Sequence, residues 1–103
     1  MSIVVVARLF PKPGRKADFL AALEAASPAI HAERGCELYA GHEAPDGSLV
    51  LIEKWATQAD LDAHAVGEPV LAYRAAKAEF EERPPVVEAL VPLGYGDATR
   101  GTV

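Results

Sequence analysis

The sequence predicts an α+β fold with the element order β-α-β-β-α-β, and three observations carry that reading. Four short segments, Ile3 to Ala7, Cys36 to Glu43, Leu49 to Trp55 and Val86 to Val91, have the apolar content of strands. Between them lie two longer stretches, from about Arg15 to Gly35 and from Thr57 to Arg83, with apolar residues at helical spacing. Breaker clusters separate the segments: Pro11-Lys12-Pro13-Gly14, Pro45-Asp46-Gly47 and Pro84-Pro85. This order is the split β-α-β arrangement of ferredoxin-like folds, a four-stranded antiparallel sheet with its helices on one face.

Each element has its own local reason. Ile3-Val4-Val5-Val6-Ala7 is apolar at every position and ends near Phe10. In the first helix Phe19, Leu20, Leu23 and Ala26 form one stripe, with Lys16, Asp18 and Glu24 away from it. Ser27-Pro28 has the form of a cap followed by Pro at a first helical position, so a kink or restart is expected there. Ile30 continues the apolar face, and Gly35 closes the segment.

The second strand alternates, with Cys36, Leu38, Ala40 and His42 on one side and Glu37, Tyr39, Gly41 and Glu43 on the other. The Pro45-Asp46-Gly47 turn sends the chain back as a hairpin into Leu49-Val50-Leu51-Ile52-Glu53-Lys54-Trp55. Alternation puts Leu51, Glu53 and Trp55 together on one face. Thr57 is an N-cap candidate with Asp60 three residues on, and the helix after it aligns Leu61 with His64 and Ala65. Gly67 breaks that helix and Pro69 restarts it. Val70, Tyr73, Ala76 and Phe80 form the expected buried stripe, while Glu79, Glu81, Glu82 and Arg83 face water until Pro84-Pro85. Residues 1–92 are read as one domain and residues 93–103 as a Gly-containing tail without periodicity.

Two helical segments cover one face of such a sheet. Yet Ile3–Ala7 and Leu49–Ile52 are apolar on both parities, whereas a half-solvated sheet alternates apolar and polar. A second apolar face left in water exceeds what monomers usually expose. A two-fold homodimer, packed through the sheet face, is the expected cover.

Composition excludes several classes. The chain has 103 residues, 50% of them apolar, and a net charge of −5, which describes one folded domain. Its ten Lys and Arg are scattered, so no nucleic-acid surface is expected. No apolar run is long enough for a membrane span, and Met1 to Phe10 lacks the basic start of a signal peptide. Cytoplasm is the expected location. Cys36 is the single cysteine, His31, His42 and His64 show no close ligand spacing, and no glycine-rich phosphate loop occurs. No metal, nucleotide or flavin cofactor is therefore expected.

Pro13-Gly14, Glu33-Arg34-Gly35-Cys36-Glu37-Leu38-Tyr39, Glu53-Lys54-Trp55 and Leu61-Asp62-Ala63-His64 together resemble the antibiotic biosynthesis monooxygenase (ABM) family of dimeric α+β barrels. The resemblance spans nearly all of the chain to about Pro92 and includes similarity to quinol monooxygenases. It implies a cofactor-independent monooxygenase that acts with molecular oxygen on a quinol-like or polycyclic phenolic substrate. Other members are haem-degrading enzymes and isomerases of small metabolites, so a cofactor-free isomerase and a non-catalytic small-molecule-binding dimer stay open. For haem degradation the resemblance implies an Asn on the first strand, a Trp and an iron-ligating His. Trp55 matches and His64 lies near the His position, but Ala7 stands where the Asn is required, which disfavours that chemistry.

On these grounds His64 is the candidate catalytic base, since imidazole titrates near neutral pH; the alternative is a rim histidine bonded to backbone. Trp55 is either a pocket wall that stacks on a flat aromatic substrate or a core aromatic. Glu53 shares its face and needs a partner if buried, with Arg8 as a candidate. Tyr73 and Phe80 are cavity-lining or plain core, Tyr39 is cavity-lining or at the dimer interface, and Cys36 reads as a small buried hydrophobe.

Overall fold

The computed structural model describes residues 2–103. It contains β1 (Ile3–Pro11), α1 (Lys16–His31), β2 (Cys36–Glu43), β3 (Leu49–Trp55), α2 (Gln58–Ala65), α3 (Glu68–Lys77) and β4 (Glu81–Leu90), with a 3-10 turn at Ala78–Phe80. The strands form one sheet in the order β2-β3-β1-β4. All neighbours are antiparallel, with Val5 opposite Glu53 on β3 and Ala89 on β4, and Tyr39 opposite Glu53. The ferredoxin-like α+β fold expected from the pattern is the fold observed.

β3 alternates as predicted. Leu49, Leu51, Glu53 and Trp55 are buried against the helices, and Val50, Ile52 and Lys54 are half-buried on the other face. The core joins that inner face to Phe19, Leu23 and Ile30 of α1 and to Val70 and Tyr73 of α3.

Three local expectations need correction. α1 does not restart at Pro28 but runs through it. Pro28 is exposed, so its missing N–H costs one hydrogen bond on the solvent side, and Ser27 Oγ donates to Leu23 O over 2.7 Å. The second helical segment ends at Lys77, not Arg83, and the last strand starts at Glu81 and passes through Pro84-Pro85. β4 is an edge strand, and two prolines are tolerated there because an edge has unpaired N–H positions. The buried stripe of α3 is Val70, Tyr73 and Lys77; Ala76 is exposed.

Two glycines hold the α1–β2 turn against the next helices. Gly35 has φ +77°, and a Cβ there would overlap the Asp60 side chain on α2. Its carbonyl accepts a hydrogen bond from Ala56 N over 2.8 Å. A Cβ on Gly67, between α2 and α3, would lie 3.1 Å from Glu33 Oε2. Both close approaches bring Glu33 to the junction of α2 and α3. Thr57 caps α2 as expected, its hydroxyl accepting from Asp60 N over 3.1 Å, while the Asp60 carboxylate faces Arg34.

The outer sheet face carries Val4, Val6, Val50, Ile52 and, on β4, Val86 and Leu90. Val86 and Leu90 are 56% and 42% exposed. The tail turns back on Asp97, which accepts from Thr99 N and Arg100 N, and it ends with Val103 O bonded to Lys54 Nζ over 2.8 Å. Among the described residues, no helix is long and apolar enough to cross a membrane.

Candidate active site

A cavity of about 150 Å³ lies between the inner sheet face and the α2–α3 pair. Val5, Ala7, Leu51, Leu61 and Val70 give it apolar walls, and Tyr39, Glu53, His64, Tyr73 and Lys77 also line it. Each of those five polar residues is buried. A larger cleft of about 380 Å³, beside Pro11–Gly14 and Arg83, has no buried titratable side chain. The buried titratable side chains gather at the smaller cavity.

The geometry follows from the strand-to-helix corner. β3 points Glu53 and Trp55 inward, and the short Ala56-Thr57 connection starts α2 at once. The last turn of α2 then lays His64 on Trp55, with ring centroids 4.4 Å apart and planes 29° apart. Tyr39 meets the other ring contact edge-on at 5.9 Å. His64 Nδ1 donates to Glu33 Oε1 over 2.8 Å. An ionised carboxylate only accepts, so the proton of the neutral imidazole is on Nδ1, and Nε2 is left as an acceptor. Nε2 lies 3.8 Å from Glu53 Oε1, too far for a direct hydrogen bond. Trp55 Nε1 donates to the same Glu53 oxygen over 3.0 Å.

Burial shifts the acids around His64. It pushes the Glu53 carboxyl above its ordinary value, with the negative Glu33 adding to the effect, while the Trp55 hydrogen bond and His64 oppose it. Tyr39 and Tyr73 are pushed up in the same way, chiefly by burial, so both hydroxyls stay protonated at physiological pH. Tyr73 Oη is buried with no hydrogen-bond partner. Such an orphan costs ~1–3 kcal/mol. Lys77 is paired with Glu81 across the α3–β4 junction, and its ammonium lies 5.7 Å from the ring centroids of Tyr73 and Phe19.

Of the residues singled out in the sequence, His64, Glu53, Tyr39 and Tyr73 line the cavity. Trp55 and Phe80 do not. Trp55 is fully buried behind His64, where its face supports the imidazole and leaves no surface for a substrate. Phe80 lies under the Arg15 guanidinium at 4.5 Å. The suggested Glu53–Arg8 pair does not form, because Arg8 points to the outer face and donates to Ser48 Oγ over 2.7 Å. Cys36 is half-buried, and burial raises its thiol, which leaves it a poor nucleophile. His31 Nε2 and His42 Nδ1 bond to backbone carbonyls of Tyr39 and Val50. Among the described residues, no group of three or more His, Cys, Asp or Glu is placed to hold a metal ion.

Two residues of the site escaped the sequence reading. Glu33 is 31 positions from His64 and no local period links them. Lys77 gave a signal, since it falls four residues after Tyr73 on an otherwise apolar helix face.

The raised Glu53 carboxyl makes a pH prediction. The folded state holds this proton more tightly than the unfolded chain does, so stability falls as pH rises from the ordinary carboxylate value through the raised one. Glu53→Gln stays neutral and its amide oxygen accepts from Trp55. Thermal melts should show the variant more stable than the parent at pH 7, with the gain shrinking as pH falls through the raised value toward the ordinary carboxylate range. A gain that grows on acidification contradicts a strained buried carboxylate.

Comparison with known proteins agrees with this architecture. The model of the antibiotic biosynthesis monooxygenase family matches residues 2–76. Rv0793 of Mycobacterium tuberculosis, provisionally named a monooxygenase, is 36% identical over 97 residues, covering 93% of this chain and 96% of that protein. Its solved structure superposes with a TM-score of 0.83 over 90% of this chain and 96% of that one. A provisionally assigned antibiotic biosynthesis monooxygenase from Caulobacter crescentus CB15 is 26% identical, with a TM-score of 0.81 over 86% of this chain and 87% of that one. A Nitrosomonas europaea structure at 19% identity and TM-score 0.84, covering 93% of this chain and 94% of that one, shares the fold. The chain belongs to the antibiotic biosynthesis monooxygenase family.

Proposed function

We propose that this protein is a cofactor-independent monooxygenase of a small quinol-like aromatic, with His64 as base and Glu33 as the group that orients it. The observation that carries the reading is the Glu33–His64 hydrogen bond of 2.8 Å at the wall of an apolar cavity. Its volume narrows the substrate. An apolar cavity of about 150 Å³ accommodates a benzene-sized ring, so a single-ring quinol fits where a polycyclic phenol would project out of the mouth.

His64 Nε2 takes a phenolic proton, and Glu33 stabilises the imidazolium through the Nδ1–H bond. The resulting phenolate is electron-rich enough to reduce molecular oxygen itself. A carbon–oxygen bond forms on the ring, the O–O bond breaks, and the second oxygen leaves as water with the protons given up by the substrate. A quinol and O2 thus give a hydroxyquinone and water, with all four electrons drawn from the ring. The protein contributes positioning, a dry cavity and one proton acceptor.

A second reading rests on Glu53. A buried acid with a raised pKa beside a histidine base suits a proton-transfer isomerase that needs no oxygen. Oxygen uptake distinguishes the two, because isomerisation proceeds under nitrogen. A ligand that binds without turnover in air or nitrogen would instead support a non-catalytic binding protein.

The reading includes a two-fold pair of chains. It is supported by the outer face of Val4, Val6 and Ile52 and by the exposed Val86, Leu90 and Val91 at its β4 side. Val87, 58% exposed, stands at the cavity mouth, so a second chain over β4 would also close the site. Sedimentation at micromolar concentration should give twice the 10.9 kDa chain mass. A clean monomer there contradicts the pair.

With a quinol that supports oxygen uptake, His64→Ala should lower kcat by ~10²-fold or more, the usual contribution of a general base. Glu33→Gln should lower kcat with little change in KM, since it alters the base and not the ring site. Full activity in His64→Ala would remove the imidazole from the mechanism.

A further inference from the structure

His64 and Glu53 form an acid–base pair on one wall of the cavity. The unprotonated Nε2 of His64 lies 3.8 Å from Glu53 Oε1. Trp55 Nε1 donates to that same oxygen, so Oε2 is the position open to a proton. Among the described residues, Tyr73 Oη alone is both sealed from open space and without a hydrogen-bond partner. His64 Nε2 and Glu53 Oε2 make no hydrogen bond, so both keep open surface, and the two side chains line one cavity. Glutamine at position 53 would accept from the indole without any charge. A carboxyl stands there although burial works against its ionised form. A buried acid beside a base, at a cavity, is placed for exchanging a proton.

We propose that Glu53 is the second proton carrier of this site: it receives the substrate proton from His64 and delivers it to the outer oxygen of the ring-bound peroxide. Glu53 has this part only if the cavity is a quinol oxygenase site, the reading on which the proposal rests. His64 Nε2 takes the phenolic proton, and the quinol anion adds O2 at a ring carbon, which leaves negative charge on the outer oxygen. Imidazolium and carboxylate attract, closing their 3.8 Å gap toward the ~2.7–3.2 Å of a hydrogen bond. The proton passes from Nε2 to Glu53 and then to the outer oxygen, giving a ring hydroperoxide. That hydroperoxide loses the ring hydrogen as a proton and its outer oxygen as hydroxide, which combine as water. The C–H electron pair becomes the new carbonyl bond, and the O–O pair leaves with the hydroxide. Hydroxyquinone remains, and both side chains return to their starting states. Without this delivery the peroxide leaves the ring whole, as hydrogen peroxide once protonated from water, and the ring is left as quinone.

The test follows oxygen, hydrogen peroxide and hydroxyquinone during turnover of hydroquinone and methylhydroquinone. The full chain is compared with Glu53→Gln and Glu53→Asp, and uncatalysed oxidation is subtracted. The parent should convert the oxygen it consumes into hydroxyquinone and water. Glu53→Gln should form hydroxyquinone ~10²-fold more slowly, the usual contribution of a positioned acid or base, and release hydrogen peroxide for most of the oxygen it still consumes. Glu53→Asp, which keeps a carboxyl, should recover part of the hydroxyquinone yield. An unchanged yield in Glu53→Gln overturns the relay and leaves the quinol oxygenase reading in place. An equal loss in Glu53→Asp also overturns it, since position 53 would then serve packing. No oxygen uptake by the parent with either quinol overturns the oxygenase reading and the relay with it.

Discussion

The hydrogen bond between Glu33 and His64 is the constraint on which the site depends. Glu33 stands in the α1–β2 turn and His64 in the last turn of α2, so the bond is made only if the turn and the helix are both in place. The turn is held because Gly35 takes a left-handed conformation against Asp60, and because Gly67 leaves room for the Glu33 carboxylate. Trp55 supplies the floor on which the imidazole rests. A backbone feature, two glycines and one indole thus fix which nitrogen of His64 carries a proton.

The burial around His64 is costly for stability. Glu53 is held in a medium that disfavours its charge, and the Trp55 N–H offsets only part of that. The Tyr73 hydroxyl is buried without a hydrogen-bond partner. Neither arrangement is expected of side chains selected for packing alone, and strain concentrated around one small cavity is a mark of a binding or reaction site. The bulky residues that carry stability, Phe19, Ile30, Leu49 and Trp55, lie in the core behind it.

Period-two and period-3.6 patterns were sufficient to read the order of elements along the chain, the hairpin and the face shared by Glu53 and Trp55, because burial of one face forces them. The end of α3 was not legible. Glu79 to Arg83 has helical composition, and the prolines at 84 and 85 look like a stop until one knows that β4 occupies an edge. The role of Trp55 was half legible: its side was readable, but stacking on His64 depends on how sharply the chain turns at Thr57. Glu33 was hidden for a deeper reason. Its partner is distant in sequence, and a Glu before Arg-Gly in a turn looks like any solvated acid.

The direct test is the tautomer of His64, read by nitrogen NMR of the imidazole in the intact protein at neutral pH. With Glu33 as acceptor, the proton is expected on Nδ1, with Nε2 showing the shift of an unprotonated ring nitrogen and Glu33→Gln weakening that preference. A parent spectrum with the proton on Nε2, or with both nitrogens averaged as in free histidine, would contradict an oriented base facing the cavity.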